Sequence, residues 1–161
     1  RKVWNFDKPY QHPGRDLGTG TQFGLSLGVA YAYKDTDKVV VDLQPDGDLM
    51  FDLGGLWIAA KYEIPILVIM YNNRAYYNDW AHQISVANKR GTDPDRAYIG
   101  MDLEGPAPDF AHIAKGLDWY AEGPIMDPAE IQPAVQRAMK EVKKGKPALV
   151  DVITWRRGEA A

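Results

Sequence analysis

Two short polar runs in this chain have the residue types for cation chemistry. The first is Pro45-Asp46-Gly47-Asp48, directly after the β-branched run KVVVDL. The second is Asn72-Asn73, directly after the apolar run ILVIMY. Asp46 offers a carboxylate oxygen, Asn73 an amide oxygen, and the chain just past Asn73 a backbone carbonyl. An all-oxygen set is a poor match for zinc. It suits a hard cation such as Mg²⁺, which is usually held by few protein groups and completed by phosphate and water. Gly47 removes a side chain where a phosphate could approach, and the helix expected after Asp48 would aim its N-terminal N–H groups at the same spot. Asp48 adds a second negative charge that a metal would offset. Each run alone has a plainer reading, as a tight turn or a cap. Their joint placement makes the case, because each follows a buried strand and one helix of crossover length joins the two.

The elements that place these runs follow from periodicity. Small and apolar residues recur at helical spacing from Phe23 (Gly24, Leu25, Gly28, Val29, Ala32) until Asp35 to Asp37 end the run. Gly24 and Gly28, four apart, should let this helix approach a neighbour closely. Residues 38–43 read as a strand, with Val39, Val40 and Val41 suggesting burial on both faces. A helix is expected over 51–62 and is broken by Glu63-Ile64-Pro65, since the residue before proline disfavours the α region. Residues 66–71 read as a second buried strand, followed by a polar loop from Asn72 to Gln83 and an irregular stretch over 86–107. A short helix over 109–115 and a strand in WYAEG come next. Asp127 as N-cap, Pro128 in the first helical position and Glu130 as the far half of a capping box open the last helix, which Gly145 ends. Residues 148–154 form a final buried strand.

Helices alternating with short apolar strands predict an α/β fold: three layers, α/β/α, around a mainly parallel central sheet. In such sheets ligands sit at the carboxyl ends of the strands, where both polar runs fall. The 161 residues make one domain, with no repeat or low-complexity segment. A net charge of −3 with no basic face argues against a nucleic-acid partner. The absence of cysteine excludes disulfides and thiolate metal sites from this chain and fits a cytoplasmic setting. No apolar run reaches the roughly 18–20 residues that a bilayer crossing needs, so no membrane partner is expected. The chain opens at Arg1, without Met and in folded-looking sequence, as a fragment of something longer would.

The stretch from Asp46 to Tyr76 resembles the thiamine diphosphate motif, which opens with Gly-Asp-Gly and closes with Asn-Asn. Here Pro45-Asp46-Gly47 stands at one end and Asn72-Asn73 at the other, with Pro45 replacing the first glycine. The resemblance covers almost the whole chain. It is to the C-terminal, diphosphate-binding domain of the acetolactate synthase, benzoylformate decarboxylase and 2-hydroxyacyl-CoA lyase group. It implies Asp46 and Asn73 as Mg²⁺ ligands, Ala75 as the ligand that lends its backbone carbonyl, and Gly47 and Asp48 as the turn that meets the diphosphate. The segment GTGTQFG resembles the family's segment beneath the cofactor rings, so Thr19, Gly20 and Thr21 are cofactor-binding candidates. A bulky apolar residue usually holds the bent cofactor there. Thr21 matches that position best, Thr19 and Gln22 are alternatives, and none of the three is bulky and apolar. A dinucleotide-binding reading of the same segment is weaker, since Gly18, Gly20 and Gly24 are spaced one residue too far and no hydrophobic strand precedes them.

The resemblance further implies thiamine diphosphate and Mg²⁺ as cofactors. It implies a lyase, decarboxylase or carboligase acting on small 2-oxo acids or 2-hydroxyacyl compounds, as a homodimer or homotetramer. The glutamate that activates the cofactor lies on a separate pyrimidine-binding domain, so these 161 residues alone should not turn over. In AYYNDWAHQ, Asn78 and Asp79 fall where the synthase branch is expected to carry apolar residues and His82 falls near its Trp position, which makes the three substrate-side candidates. His12, in QHPGRDLG, could face the same site. The alternative to a catalytic assembly is a degenerate homologue kept as a regulatory or interaction subunit, supported by Pro45 and the missing apolar wedge. A Mg²⁺-dependent phosphohydrolase lacks a second carboxylate cluster or base.

Overall fold

The computed structural model describes residues 8–11 and 18–155. Its sheet has four strands in the order β1-β2-β4-β3, all parallel: β1 (Val40–Pro45), β2 (Ile66–Asn72), β3 (Tyr120–Ile125) and β4 (Ala148–Ile153). Six α-helices accompany them: α1 (Gln22–Tyr33), α2 (Asp46–Phe51), α3 (Gly54–Lys61), α4 (Tyr77–Arg90), α5 (Phe110–Gly116) and α6 (Pro128–Val142). This is the expected three-layer α/β/α arrangement.

The two faces of the sheet bury different cores. On one, Ile66, Val68, Met70 and Leu149 meet Phe23 and Leu27 of α1, Leu49 of α2, Leu56 and Ala59 of α3, and Phe110 and Ala114 of α5. On the other, Leu67, Ala148, Val150 and Val152 meet α6 through Ala134, Ala138 and Val142. Strands β2 and β4 are therefore covered on both sides, and so they read as largely apolar runs, broken in β4 by Asp151. Ala134 and Ala138, one turn apart, let α6 lie close to the sheet. Asp127 caps α6 by accepting from the Ala129 N–H at 2.9 Å, and Gly145 turns the chain afterwards at φ 95°.

Five sequence expectations change. The strand expected over 38–43 is Val40–Pro45, so Pro45 is its last residue, not part of a turn. Pro45 sits at φ −69°, which its ring prefers, and β1 is an edge strand, where a missing N–H costs least. Burial on both faces of β1 also fails: Asp42 and Gln44 are buried, while Val41 and Leu43 are exposed because α6 packs over β2, β3 and β4 instead. The helix expected over 51–62 starts earlier and is two helices, interrupted where Asp52 leaves helical geometry at φ −136°, ψ 44°. The 14-residue helix α4 runs through the second half of the stretch read as a polar loop and into the one read as irregular, and is ended by Gly91 in the left-handed region at φ 64°. The close approach expected at Gly24 and Gly28 occurs at Gly55 of α3, where a Cβ would lie 2.7 Å from the Phe23 ring. Gly24 and Gly28 instead line an open apolar groove between α1 and α3.

Candidate functional site

Strands β1 and β2 run parallel in register, with Pro45 opposite Tyr71, so both polar runs emerge at the same edge of the sheet. Asp46, the first residue of α2, is 1% exposed. Its Oδ2 accepts the Ala75 N–H at 3.1 Å, and Asn73 Oδ1 accepts the same N–H at 3.0 Å. The carboxylate and the amide oxygen, expected to share a cation, thus already converge on one donor. Ala75 is itself buried, and its segment is pinned from the far side. Tyr76 N–H donates to the Met101 carbonyl at 2.8 Å, Leu103 N–H donates to the Arg74 carbonyl at 2.8 Å, and Ala75 bridges Asp102. Arg74 takes φ 56°, a conformation rare for a residue with a side chain.

The electrostatics are one-sided. Burial pushes the Asp46 carboxyl above the ordinary range, opposed by hydrogen bonds from the backbone at Gly47, Ala75, Asp46 itself and Arg74. The Tyr71 and Tyr76 hydroxyls are also raised, first by burial and then by the charges of Asp46 and Asp48, with Asp42 adding to Tyr71. Among the described residues, no ion pair involves Asp46 or Asp48. A buried carboxylate beside a neutral amide oxygen, with no ion-pair partner among the described residues, fits a bound divalent ion. No group of three or more His, Asp or Glu gathers among the described residues to form a metal cage by itself. An Asp carboxylate and an Asn amide oxygen could serve a cation such as Mg²⁺, which takes few protein ligands and keeps phosphates and water in its shell.

The remaining candidates fall into three groups. Gly20 and Asp48 join the site: the Gly20 N–H donates to Asp48 Oδ1 at 3.2 Å, tying the segment before α1 to the first turn of α2. Thr19 and Thr21 are exposed beside it, and the Thr21 hydroxyl is bonded to the Gly18 carbonyl at 2.7 Å. Gln22, the other alternative for the apolar wedge, has a buried Oε1 without a hydrogen-bond partner. Gly47 is present but differently used. The space beside it is filled by Tyr76, whose ring a Cβ would meet at 2.6 Å. Asn78, Asp79 and His82 stand exposed on the first half of α4, one short link past Ala75. His12 lies outside the described residues. Trp119 is core, donating its Nε1–H to the Leu56 carbonyl at 2.7 Å, whereas Trp57 and Tyr62 are exposed.

Sequence reasoning missed an aromatic pair at this edge. Phe51 and Tyr76 lie 5.6 Å apart between ring centroids. Phe51 covers Gly20, where a Cβ at φ 78° would come within 2.7 Å of it, as Tyr76 covers Gly47. The two glycines make room for protein rings. Their sequence signal is faint, because glycine in a turn looks the same whatever fills the space beside it.

The family model for the thiamine pyrophosphate enzyme C-terminal TPP-binding domain matches residues 3–152. The chain belongs to this family. A putative acetolactate synthase large subunit of Mycobacterium tuberculosis is 29% identical over 140 residues, spanning 84% of this chain and 25% of that protein. The acetolactate synthase isozyme 3 large subunit of Escherichia coli is 26% identical over 153 residues, 91% of this chain and 24% of its own. Among solved structures, the thiamine diphosphate-dependent 4-hydroxybenzoylformate decarboxylase of Rhodococcus jostii RHA1 superposes with a TM-score of 0.62 at 26% identity, over 84% of this chain and 23% of that one. The chain therefore spans about a quarter of the length of the relatives it matches. As a TPP-binding domain of the synthase, decarboxylase and lyase family it places the candidate site where open parallel sheets bind ligands. No helix among the described residues is long and apolar enough to cross a membrane.

Proposed function

We propose that this domain holds the diphosphate end of thiamine diphosphate through Mg²⁺ at the ends of β1 and β2. Asp46, Asn73 and the Ala75 carbonyl are the protein ligands of the cation. The observation that carries this reading is the convergence of Asp46 Oδ2 and Asn73 Oδ1 on a single buried N–H, from two strand ends. When bound, thiamine diphosphate supplies a nucleophilic thiazolium carbon and a ring that accepts electrons. The chain's own contribution is to bind and orient. Asp46 and Asn73 fix the cation, Asp48 and Gly20 fix the adjoining backbone, and Phe51 and Tyr76 form a partly exposed aromatic pair beside it.

The reaction class that fits is cleavage or formation of a C–C bond next to a carbonyl, on a 2-oxo acid or a 2-hydroxyacyl compound. Asn78, Asp79 and His82 stand nearest along the chain on the substrate side. Turnover needs a proton-transferring glutamate from a pyrimidine-binding domain, in the same or a partner chain of a homodimer or homotetramer. Calorimetry on the native full-length protein tests the site: Mg²⁺ and thiamine diphosphate should bind together, and Asp46→Ala should abolish binding. An unchanged affinity in that variant removes Asp46 from the role. No binding by the wild type favours a degenerate regulatory subunit, which the missing wedge at Thr21 would then explain.

A further inference from the structure

Asp151 is a carboxylate in the middle of β4, 1% exposed, and no ligand role above uses it. It is boxed in from β3: a Cβ on Gly123 would lie 2.7 Å from both its Cβ and its carbonyl oxygen. Its Oδ1 accepts a hydrogen bond from Asn72 Nδ2 at 3.0 Å, between residues that are both buried. Asn72 uses its other end as well. Its Oδ1 accepts the Arg74 N–H at 3.1 Å, and its backbone carbonyl accepts the Thr154 N–H at 2.8 Å.

These bonds have a direction. An ionised carboxylate only accepts, so Asp151 dictates that Asn72 presents its NH₂ to β4 and its oxygen to the loop. With the amide reversed, its NH₂ would face the Arg74 N–H and two donors would oppose each other. The correctly turned amide holds the Arg74 N–H while that residue takes φ 56°. The next N–H along the chain, that of Ala75, is the one on which Asp46 and Asn73 converge.

We infer that Asp151 is a positioning residue: through Asn72 it holds the Asn73–Ala75 loop in the shape that binds a divalent cation with Asp46, without touching the cation. This rests on the cation site proposed above and deepens it. Partners one shell out from metal ligands commonly control affinity by 10–100-fold; Asp151 stands one bond further, behind Asn72, so the low end of that range applies.

The test is calorimetric titration of Mg²⁺ into the native full-length protein with thiamine diphosphate in excess, beside melting curves without either. Asp151→Asn keeps an oxygen for Asn72 and should bind Mg²⁺ within about threefold of the wild type. Asp151→Leu removes the acceptor and should weaken Mg²⁺ by about tenfold or more. Asn72→Ala, which removes both the donor to Asp151 and the acceptor for the Arg74 N–H, should do the same and stands in if the leucine variant does not fold. A purely structural role would lower the melting temperature of these variants and leave the Mg²⁺ affinity of the folded fraction unchanged. That result overturns the inference, as does a tenfold loss in Asp151→Asn. A wild type that binds no Mg²⁺ sinks the cation site itself, whereas a binding wild type with an undiminished Asp151→Leu sinks only the positioning role.

Discussion

Asp42→Asn should stabilise the protein above pH 6 and leave it almost unchanged at pH 4. Asp42 is buried on β1, and burial raises its carboxyl from 3.8 to about 6, partly offset by a hydrogen bond from Ser26 and reinforced by the charge of Asp48. The sign follows from proton linkage. A carboxyl that holds its proton more tightly when folded favours the folded state below the unfolded value and loses that advantage as pH rises through the folded one. At 1.36 kcal/mol for each decade between the two values, ionisation of Asp42 costs the fold about 3 kcal/mol at pH 7. The same relation leaves a cost of about 1.6 kcal/mol at pH 5 and about 0.5 kcal/mol at pH 4. Asparagine avoids the charge and keeps the local bonds. Gln44, turned so that its NH₂ faces Asp42 Oδ2 at 2.9 Å and its oxygen accepts the Leu49 N–H at 3.2 Å, can donate equally to an amide oxygen. The assay is the melting temperature of variant and wild type, free of metal and thiamine diphosphate, from pH 4 to pH 8. The gap should open in the variant's favour between pH 4 and pH 7 and then stay constant. A gap independent of pH, or one that closes as pH rises, refutes the reasoning.

Two further outcomes follow from packing. Gly47→Ala puts a methyl 2.6 Å from the Tyr76 ring, so Tyr76 must leave Phe51. The expected loss is about 1–3 kcal/mol by thermal denaturation, largely restored by adding Tyr76→Ser, and an unaffected single variant would show that the ring does not hold that place. Trp119→Phe leaves the buried Leu56 carbonyl without its 2.7 Å donor. It should cost about 1–3 kcal/mol, against almost nothing if water reaches that carbonyl.

How much was legible in the sequence varied with the physics that shaped each segment. Strands β2 and β4 declared themselves because both faces are covered and most of their positions are apolar, with Asp151 the polar exception inside β4. Helix α6 did so through its cap. Strand β1 misled because its buried positions, Asp42 and Gln44, are polar and its valine and leucine face outward. Helix α4 has no fully buried residue, so its composition reads as a loop. Its signal is the spacing of Tyr77, Trp80, Ile84 and Ala87, which are only half-buried. Asp46 and Asn73 could be paired from sequence because one short crossover brings adjacent strand ends together, while Ala75 is singled out only by the family resemblance. Asn72 and Asp151, 79 residues apart, could not, since their contact exists only because β4 inserts between β2 and β3.

The rings that fill the space beside Gly20 and Gly47 constrain how this site can change by descent. Residue 20 is coupled to residue 51 and residue 47 to residue 76, and the two rings touch. No single step to a larger residue at 20 or 47 is sterically open while both rings remain, and a ring must shrink first. The four positions should therefore vary as a set among relatives. A lineage that lost Phe51 or Tyr76 would be the one free to place a side chain where this protein has none.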